Sequence, residues 1–307
     1  MGLYVVRRIA ASIPVIFGLI TVVFFLMRLL PGDPVSVMMT EFAAAAEDQA
    51  KIRAQLGLDD PLLVQYGRYL LNLAQGDLGE SVFTHRTVLS QIRSQLPATL
   101  ELALASTVIG VVGGLLIGVF AAAWRDSLFD RVSMFVSLFF ISMPSFWVGL
   151  LFIYFFALQL GWFPVAGTGG WRHLVLPAVA LGMRPIAVLG RVVRTSMLET
   201  LSHDYIVTAR AKGLVQRRVL FGHALRNALI PVVTIIGLQF GYALGGAVIV
   251  ETVFGRQGIG QLAVSAVQRH DYPLVQGTVL LVGIIFVLAN LIVDLLYGVI
   301  DPRIRYA

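Results

Sequence analysis

Catalytic chemistry requires a nucleophile beside a base, metal ligands at matched spacing, or a glycine-rich cradle for phosphate. The five histidines (His85, His173, His203, His223 and His270) are the residues best suited to metal or acid–base work. None stands three or four positions from another ligand inside an apolar stretch, so no intramembrane metal site is expected. There is no cysteine, which excludes disulfides, thiol catalysis and Cys-ligated zinc or iron–sulfur centres in this chain. The patterns G-x-x-x-x-G-K-[ST], G-x-S-x-G and H-E-x-x-H are all missing, so neither a nucleotide cradle nor a hydrolase elbow is visible. No catalytic residue and no metal ligand is assigned. What remains is a set of polar residues inside apolar runs: Arg184, Gln239, Asn290 and Asp294. Buried in a membrane, such groups carry a functional expectation. Arg184 either faces a water-filled path and meets a substrate carboxylate, or pairs with a neighbouring helix or partner subunit. Gln239 and Asn290 are milder candidates for the path. Asp294 lies close to the end of its apolar run, where snorkelling or pairing with Arg303 accounts for it.

The elements that must position these residues are set by composition. Of 307 residues, 58% are hydrophobic and only 13% charged, with mean hydropathy +0.84. Soluble domains carry about 25% charged residues, so this chain cannot cover a soluble surface and reads as an all-α integral membrane protein. An apolar run of about 20 residues spans the hydrocarbon core. Six runs qualify: Ile9 to Leu30, Leu102 to Trp124, Val132 to Leu160, Leu174 to Gly190, Ala228 to Val250 and Leu274 to Ile300. The third contains Pro144, which predicts tilt or a kink. The fourth is short and interrupted by Arg184-Pro185. Arg7 and Arg8 before the first run suggest a secretory signal. That run is too long, however, and ends in Arg28-Leu-Leu-Pro-Gly-Asp-Pro34 rather than a small-residue cleavage site, so an uncleaved span is expected.

The net charge of +6 reports orientation rather than nucleic acid. With the N-terminus inside, the cytoplasmic flanks hold Arg7, Arg8, Arg125, Arg131, Arg191, Arg194, Arg210, Lys212, Arg217, Arg218, Arg226, Arg303 and Arg305. The short outside loops hold Arg172, Arg256 and Arg269. The positive-inside rule then places both termini in the cytoplasm.

Three segments lie between the spans. Residues 31–97 form an outside segment with helical stretches around Glu47–Leu56 and Pro61–Leu73 and a turn at Gly76-Asp-Leu-Gly79. It is too poor in apolar residues for a core of its own, and it is expected to lean on the span ends. Residues 191–227 form the longest cytoplasmic stretch. Ser202 or Asp204 is suited to cap a short helix there, Gly213 to end it in the left-handed region, and a second helix runs from Gln216 into the fifth span. Such a helix fits the groove of a partner protein or lies on anionic lipid. The outside loop from Glu251 to Pro273 is glycine-rich and suggests a re-entrant turn. Glycines recur every four residues at Gly110, Gly114 and Gly118 and at Gly237, Gly241 and Gly245. They serve either packing within the chain or a subunit interface.

The cytoplasmic Asp204-Tyr-Ile-Val-Thr-Ala-Arg-Ala-Lys-Gly213 followed by His223-Ala-Leu-Arg-Asn-Ala-Leu-Ile-Pro231 resembles the EAA-type coupling signature of ABC importer permeases. Leu29-Leu-Pro-Gly-Asp-Pro34, Gln55-Leu-Gly-Leu-Asp59, Gly76-Asp-Leu-Gly79, Asp271-Tyr-Pro273 and Val293-Asp-Leu-Leu-Tyr-Gly-Val-Ile-Asp-Pro-Arg-Ile-Arg305 resemble the dipeptide/oligopeptide/nickel branch, first permease subunit. The resemblance covers the whole chain. The length and the short loop Gly161 to Trp171 are most similar to dipeptide and glutathione importer permeases. Ala209 and Ala211 stand where the general signature has Glu-Ala-Ala, and Arg184 has no counterpart in the pattern.

The resemblance implies one permease domain over 1–307 with the type I ABC importer permease fold: six transmembrane helices and a cytoplasmic coupling helix between spans four and five. It implies a second homologous permease, two ATPase subunits that bind ATP and magnesium, and an extracytoplasmic substrate-binding protein, all at a bacterial inner membrane. The expected cargo is a dipeptide or short peptide, glutathione included; nickel or another small solute is the alternative, and a stand-alone secondary transporter or channel the more distant one. Asp204, Tyr205, Ala209, Arg210, Ala211, Lys212 and Gly213 are expected to form the ATPase dock, supported by His223, Arg226 and Asn227. No cofactor is expected in the chain itself.

Overall fold

The computed structural model describes residues 2–29, 53, 57 and 59–300, with the backbone alone at 2–5, 230 and 292–300. Of the helix expected at 47–56 only Arg53 is among the described residues, and it is helical; the Asp294 side chain, Arg303 and Arg305 lie outside them. Within them the chain is helical apart from loops and an isolated antiparallel bridge between Glu80 and Thr87. The helices are α1 (Gly2–Leu29), α2 (Leu62–Ala74), α3 (Val88–Ala123), α4 (Leu128–Ser142), α5 (Ser145–Phe152, prolonged by a π-helical stretch Ile153–Gln159) and α6 (Gly170–Leu201). They continue with α7 (Asp204–Ala211), α8 (Leu225–Val253), α9 (Ile259–Gln268) and α10 (Tyr272–Ile300). A single turn, Gln216–Arg218, and a π-helical stretch, Val219–Ala224, lead into α8.

Among the described residues five helices are long and apolar enough to cross a membrane, and a sixth span arises if the bent pair α4–α5 counts as one. The kink expected at Pro144 is present and sharper than a kink: the third span is two helices meeting at 108°. Pro144 lacks an N–H and drives the residue before it out of the helical region, and Met143 is extended at φ −85, ψ 135. The fourth span is corrected. Arg184-Pro185 does not interrupt it, and α6 runs unbroken for 32 residues with Pro177 and Pro185 inside. The expected re-entrant turn after Glu251 holds a short apolar helix, α9.

The chain divides into two compact units, one of Met1–Arg8, Leu100–Arg256 and Leu288–Ala307, the other of Ile9–Thr99 and Gln257–Val287. In the first, α6 is the central helix and packs on α3 through glycines. A Cβ built on Gly110, Gly114 or Gly118 would stand 2.5, 2.6 and 2.5 Å from the Cβ of Pro185, Leu189 and Val193. Real Cβ atoms do not approach so closely, so these glycines serve contact within the chain. Gly245 differs: a Cβ there meets nothing within 4 Å.

In the second unit, α2 lies along α1. Thr21 and Tyr66 share a hydrogen bond at 2.7 Å, and Arg28 Nε donates to Gln65 Oε1 at 2.9 Å. Phe24 stacks on Tyr69 with ring centroids 5.5 Å apart. Thus α2, in the segment expected outside, rests on the end of α1. The turn at Gly76–Gly79 forms as expected, with φ +77 and +79 at its glycines and the Gly79 N–H held by Asp77 Oδ1 at 2.8 Å. The Asp271 carboxylate caps α10 through Leu274 N–H at 3.3 Å and accepts from Ser81 Oγ at 2.5 Å. Thr99 Oγ1 satisfies the first amide of α9, Ile259 N–H, at 2.8 Å.

Candidate coupling and translocation site

The segment between α6 and α8 is built by local rules. At the end of α6 the Ser202 hydroxyl and His203 Nδ1 both donate to the Glu199 carbonyl, at 2.7 and 2.8 Å. Orphan carbonyls at a helix C-terminus need such partners. The expected side-chain cap of the next helix is corrected here. His203 occupies the N-cap position in an extended conformation, and no side chain caps α7. Ser202 faces back to α6, and Asp204 stands in the first turn of α7, where its charge suits the helix dipole.

The other end of α7 closes as expected. Gly213 has φ +81, Leu214 N–H reaches the Ala209 carbonyl at 3.3 Å and Gly213 N–H the Arg210 carbonyl at 2.9 Å. This is the Schellman pattern, in which a left-handed glycine satisfies the last carbonyls. The Gly213 Cα has open space around it, so backbone conformation, not crowding, requires glycine.

One face of α7 is inward. Ile206 is fully buried in a cluster with Val119, Val193, Met197, Val219 and Ala224, drawn from α3, α6 and the π-helical stretch. Ala209, one turn on, is also buried. The remaining residues of the expected dock (Asp204, Tyr205, Arg210, Ala211, Lys212 and Gly213) are exposed, as are His223, Arg226 and Asn227. Asn227 Nδ2 donates to the Tyr205 hydroxyl at 2.7 Å, joining α7 directly to the foot of α8. Of the expected dock residues, Ala209 alone is buried.

Sequence reasoning missed three apolar residues on this outer surface: Val207, Val215 and Phe221, all exposed. With Ile206 and Ala209 inward, helical geometry turns Val207 outward, and that was the available signal. Val215 and Phe221 join Arg217, Arg218 and Gly222 around an open cleft of about 550 Å³.

Two ion pairs were also missed. Arg194 grips Asp130 with both arms of its guanidinium, Nε to Oδ1 at 2.5 Å and Nη2 to Oδ2 at 2.7 Å. Asp130 is 2% exposed, accepts from Asp126 N–H at 3.0 Å and has its own amide bound by Ser127 Oγ. The start of α4 is thereby locked to α6, one turn above the buried Met197. Arg256, after α8, is buried and pairs with Glu101 of α3. In the same region Phe254 is buried against α5, where a Cβ on Gly149 would lie 3.0 Å from its ring. The Phe254 carbonyl accepts from Gly167 N–H at 2.9 Å.

Of the path candidates, Arg184 is exposed near the middle of α6, its Cζ 5.5 Å from the ring centroid of Tyr242 in α8. Gln239 is buried in α8 and Asn290 half-buried in α10. Among the described residues no group of three or more His, Asp or Glu side chains is placed to hold a metal.

Residues 114–306 match the family model for the binding-protein-dependent transport system inner membrane component. Residues 1–103 match the corresponding N-terminal model. The chain belongs to this family. It is a multi-pass permease subunit of an ABC importer, and its relatives are permeases rather than the ATP-hydrolysing components. The di/tripeptide transport system permease protein DppB of Pseudomonas aeruginosa is 47% identical over 99% of this chain and 98% of its own. The glutathione transport system permease protein GsiC of Escherichia coli K12 is 44% identical over 99% of each. Among solved structures, an inward-facing MetNI methionine ABC transporter shares the permease fold, with TM-score 0.58 and 22% identity over 69% of this chain and 96% of that one.

Proposed function

We propose that this permease imports dipeptides and short peptides, glutathione included, across a bacterial cytoplasmic membrane, with both termini inside. The observation that carries the reading is full-length similarity, at 47% and 44% identity, to permeases named for di/tripeptide and glutathione transport. In this reading the chain forms half of the translocation path and a second homologous permease forms the other half. Two ATPase subunits bind ATP and magnesium, and an extracytoplasmic binding protein delivers the cargo to the outer face, to which residues 31–97 belong.

Energy enters mechanically through the cytoplasmic segment 191–227. The exposed face of α7 (Asp204, Tyr205, Arg210, Ala211, Lys212, Gly213) docks an ATPase, while Ala209 and Ile206 carry the push into the core shared by α3, α6 and the entry to α8. The Tyr205–Asn227 hydrogen bond, flanked by His223 and Arg226, is the second connection. Arg184, Gln239 and Asn290 belong to the path. A ligand can shift such an equilibrium only by contacting the two states differently. ATP-driven closure of the ATPases supplies that difference at α7.

The test is reconstitution with the ATPases and binding protein, followed by competition for uptake among dialanine, glutathione and nickel. Dialanine or glutathione is expected to compete; uptake displaced by nickel alone refutes the peptide assignment. Gly213→Trp is expected to abolish uptake and ATPase stimulation while the complex still assembles. Normal uptake by this variant refutes the dock.

A further inference from the structure

A guanidinium near the middle of a membrane span is strongly disfavoured against lipid, so its surroundings are informative. Arg184 cannot turn toward the helix behind it. Gly182, Pro185, Leu189 and Val193 seat α6 on α3 at close range, and with 3.6 residues per turn Arg184 projects from the far side. There it meets Tyr242 of α8, itself 61% exposed. Among the described residues no carboxylate and no other hydrogen-bond acceptor takes the Arg184 N–H groups. The carboxylates nearest in kind are engaged elsewhere: Asp130 holds Arg194, and Glu101 holds Arg256.

We propose that Arg184, steadied by the Tyr242 ring, lines the water-filled part of the translocation path and takes the carboxylate of the passing substrate. The chemistry suits both residues. An aromatic face stabilises the cation through its charge and leaves the donor fork available. That fork matches a carboxylate with two parallel hydrogen bonds. Every unmodified peptide presents a C-terminal carboxylate, whatever its side chains. A single arginine attracts that group without trapping it.

This inference rests on the peptide reading above, and its test separates the two. The whole transporter, with both permeases, ATPases and binding protein, is reconstituted in vesicles, and dialanine uptake is measured. Arg184→Ala and Arg184→Gln are expected to lower uptake about tenfold, the size of one charge-assisted hydrogen bond. Arg184→Lys is expected to restore part of the uptake.

Because the chain has no cysteine, Arg184→Cys adds a single thiol to it. That thiol is expected to react with sulfonatoethyl methanethiosulfonate, and more slowly while dialanine is being transported. Unchanged uptake in both the Ala and Gln variants, or no labelling of the thiol with and without ATP, overturns the proposal. Loss of the second permease from the purified Ala and Gln complexes overturns it in favour of a subunit contact. If the wild-type complex takes up neither dialanine nor glutathione, the peptide reading is what fails, and labelling at position 184 still decides whether this residue meets water.

Discussion

Asn227 and Tyr205 stand 22 positions apart and share a hydrogen bond, the Asn227 amide donating to the Tyr205 hydroxyl at 2.7 Å. It links the outer face of α7 to the foot of α8. A neutral hydrogen bond of this kind contributes about 0.5–1.5 kcal/mol, enough to bias a two-state element without holding the fold together. Tyr205→Phe and Asn227→Ala are therefore expected to leave folding intact and to lower substrate imported per ATP hydrolysed by about two- to tenfold. The double variant should be no worse than the poorer single one. Additive losses would show that the two residues act separately.

The Asp130–Arg194 pair is structural. Asp130 is buried and Arg194 partly exposed, so removing the aspartate leaves a partly buried charge uncompensated and costs about 1–3 kcal/mol. Asp130→Ala should lower the thermal unfolding midpoint of the purified protein markedly. Asp130→Ala combined with Arg194→Met should recover much of the loss. A double variant as unstable as the single one would mean that packing at this corner, rather than charge, dominates.

The two glycine series should separate cleanly. Gly114→Ala puts a methyl group 2.6 Å from the Leu189 Cβ, and overpacking of this kind costs about 1–3 kcal/mol. Gly245→Ala meets open space within the chain and, in a helix interior, should stabilise it by about 0.5–1 kcal/mol. Thermal unfolding of the two variants side by side checks both, and equal destabilisation would contradict the packing described for α3 and α6.

Asp271 ties the loop before α10 to Ser81. Burial pushes its carboxyl above the ordinary range, with the hydrogen bonds from Ser81 and nearby amides opposing the shift. A raised folded-state pKa means that the folded form holds the proton more tightly. The stability attached to that proton is complete below the ordinary carboxylate pKa of about 3.9. It is lost as pH climbs through the raised value. Melting temperatures of the purified protein should show this fall with rising pH, and Asp271→Asn should flatten it. An identical pH profile in the variant would refute the role.

The apolar runs were legible because length and apolarity decide whether a helix can cross a bilayer, and both are properties of a run of residues. The left-handed Gly213 was equally legible, since the ending of a short helix is a local event. Proline shows where local reading stops. Pro144 breaks its span at 108°, whereas Pro185 sits inside an unbroken helix. The ring has the same chemistry in both places. The difference is that Pro185 is pressed against Gly110 of a neighbouring helix, and a helix held by its neighbours can carry a missing hydrogen bond.

The charges make the same distinction. Arg194 and Arg256 counted in the sequence as markers of orientation. In the fold each belongs to an ion pair, with Asp130 64 positions away and Glu101 155 positions away. Likewise, the pattern in α7 supplied the candidates for the proposed dock but could not separate the buried Ala209 from the exposed Ala211. By itself the sequence determined the membrane class, the apolar runs and the left-handed ending of α7 at Gly213, because each depends on residue type and near-neighbour spacing. Tertiary structure alone decided which glycines pack within the chain, which charges are paired and where Arg184 points. Those outcomes depend on which distant helix arrives alongside.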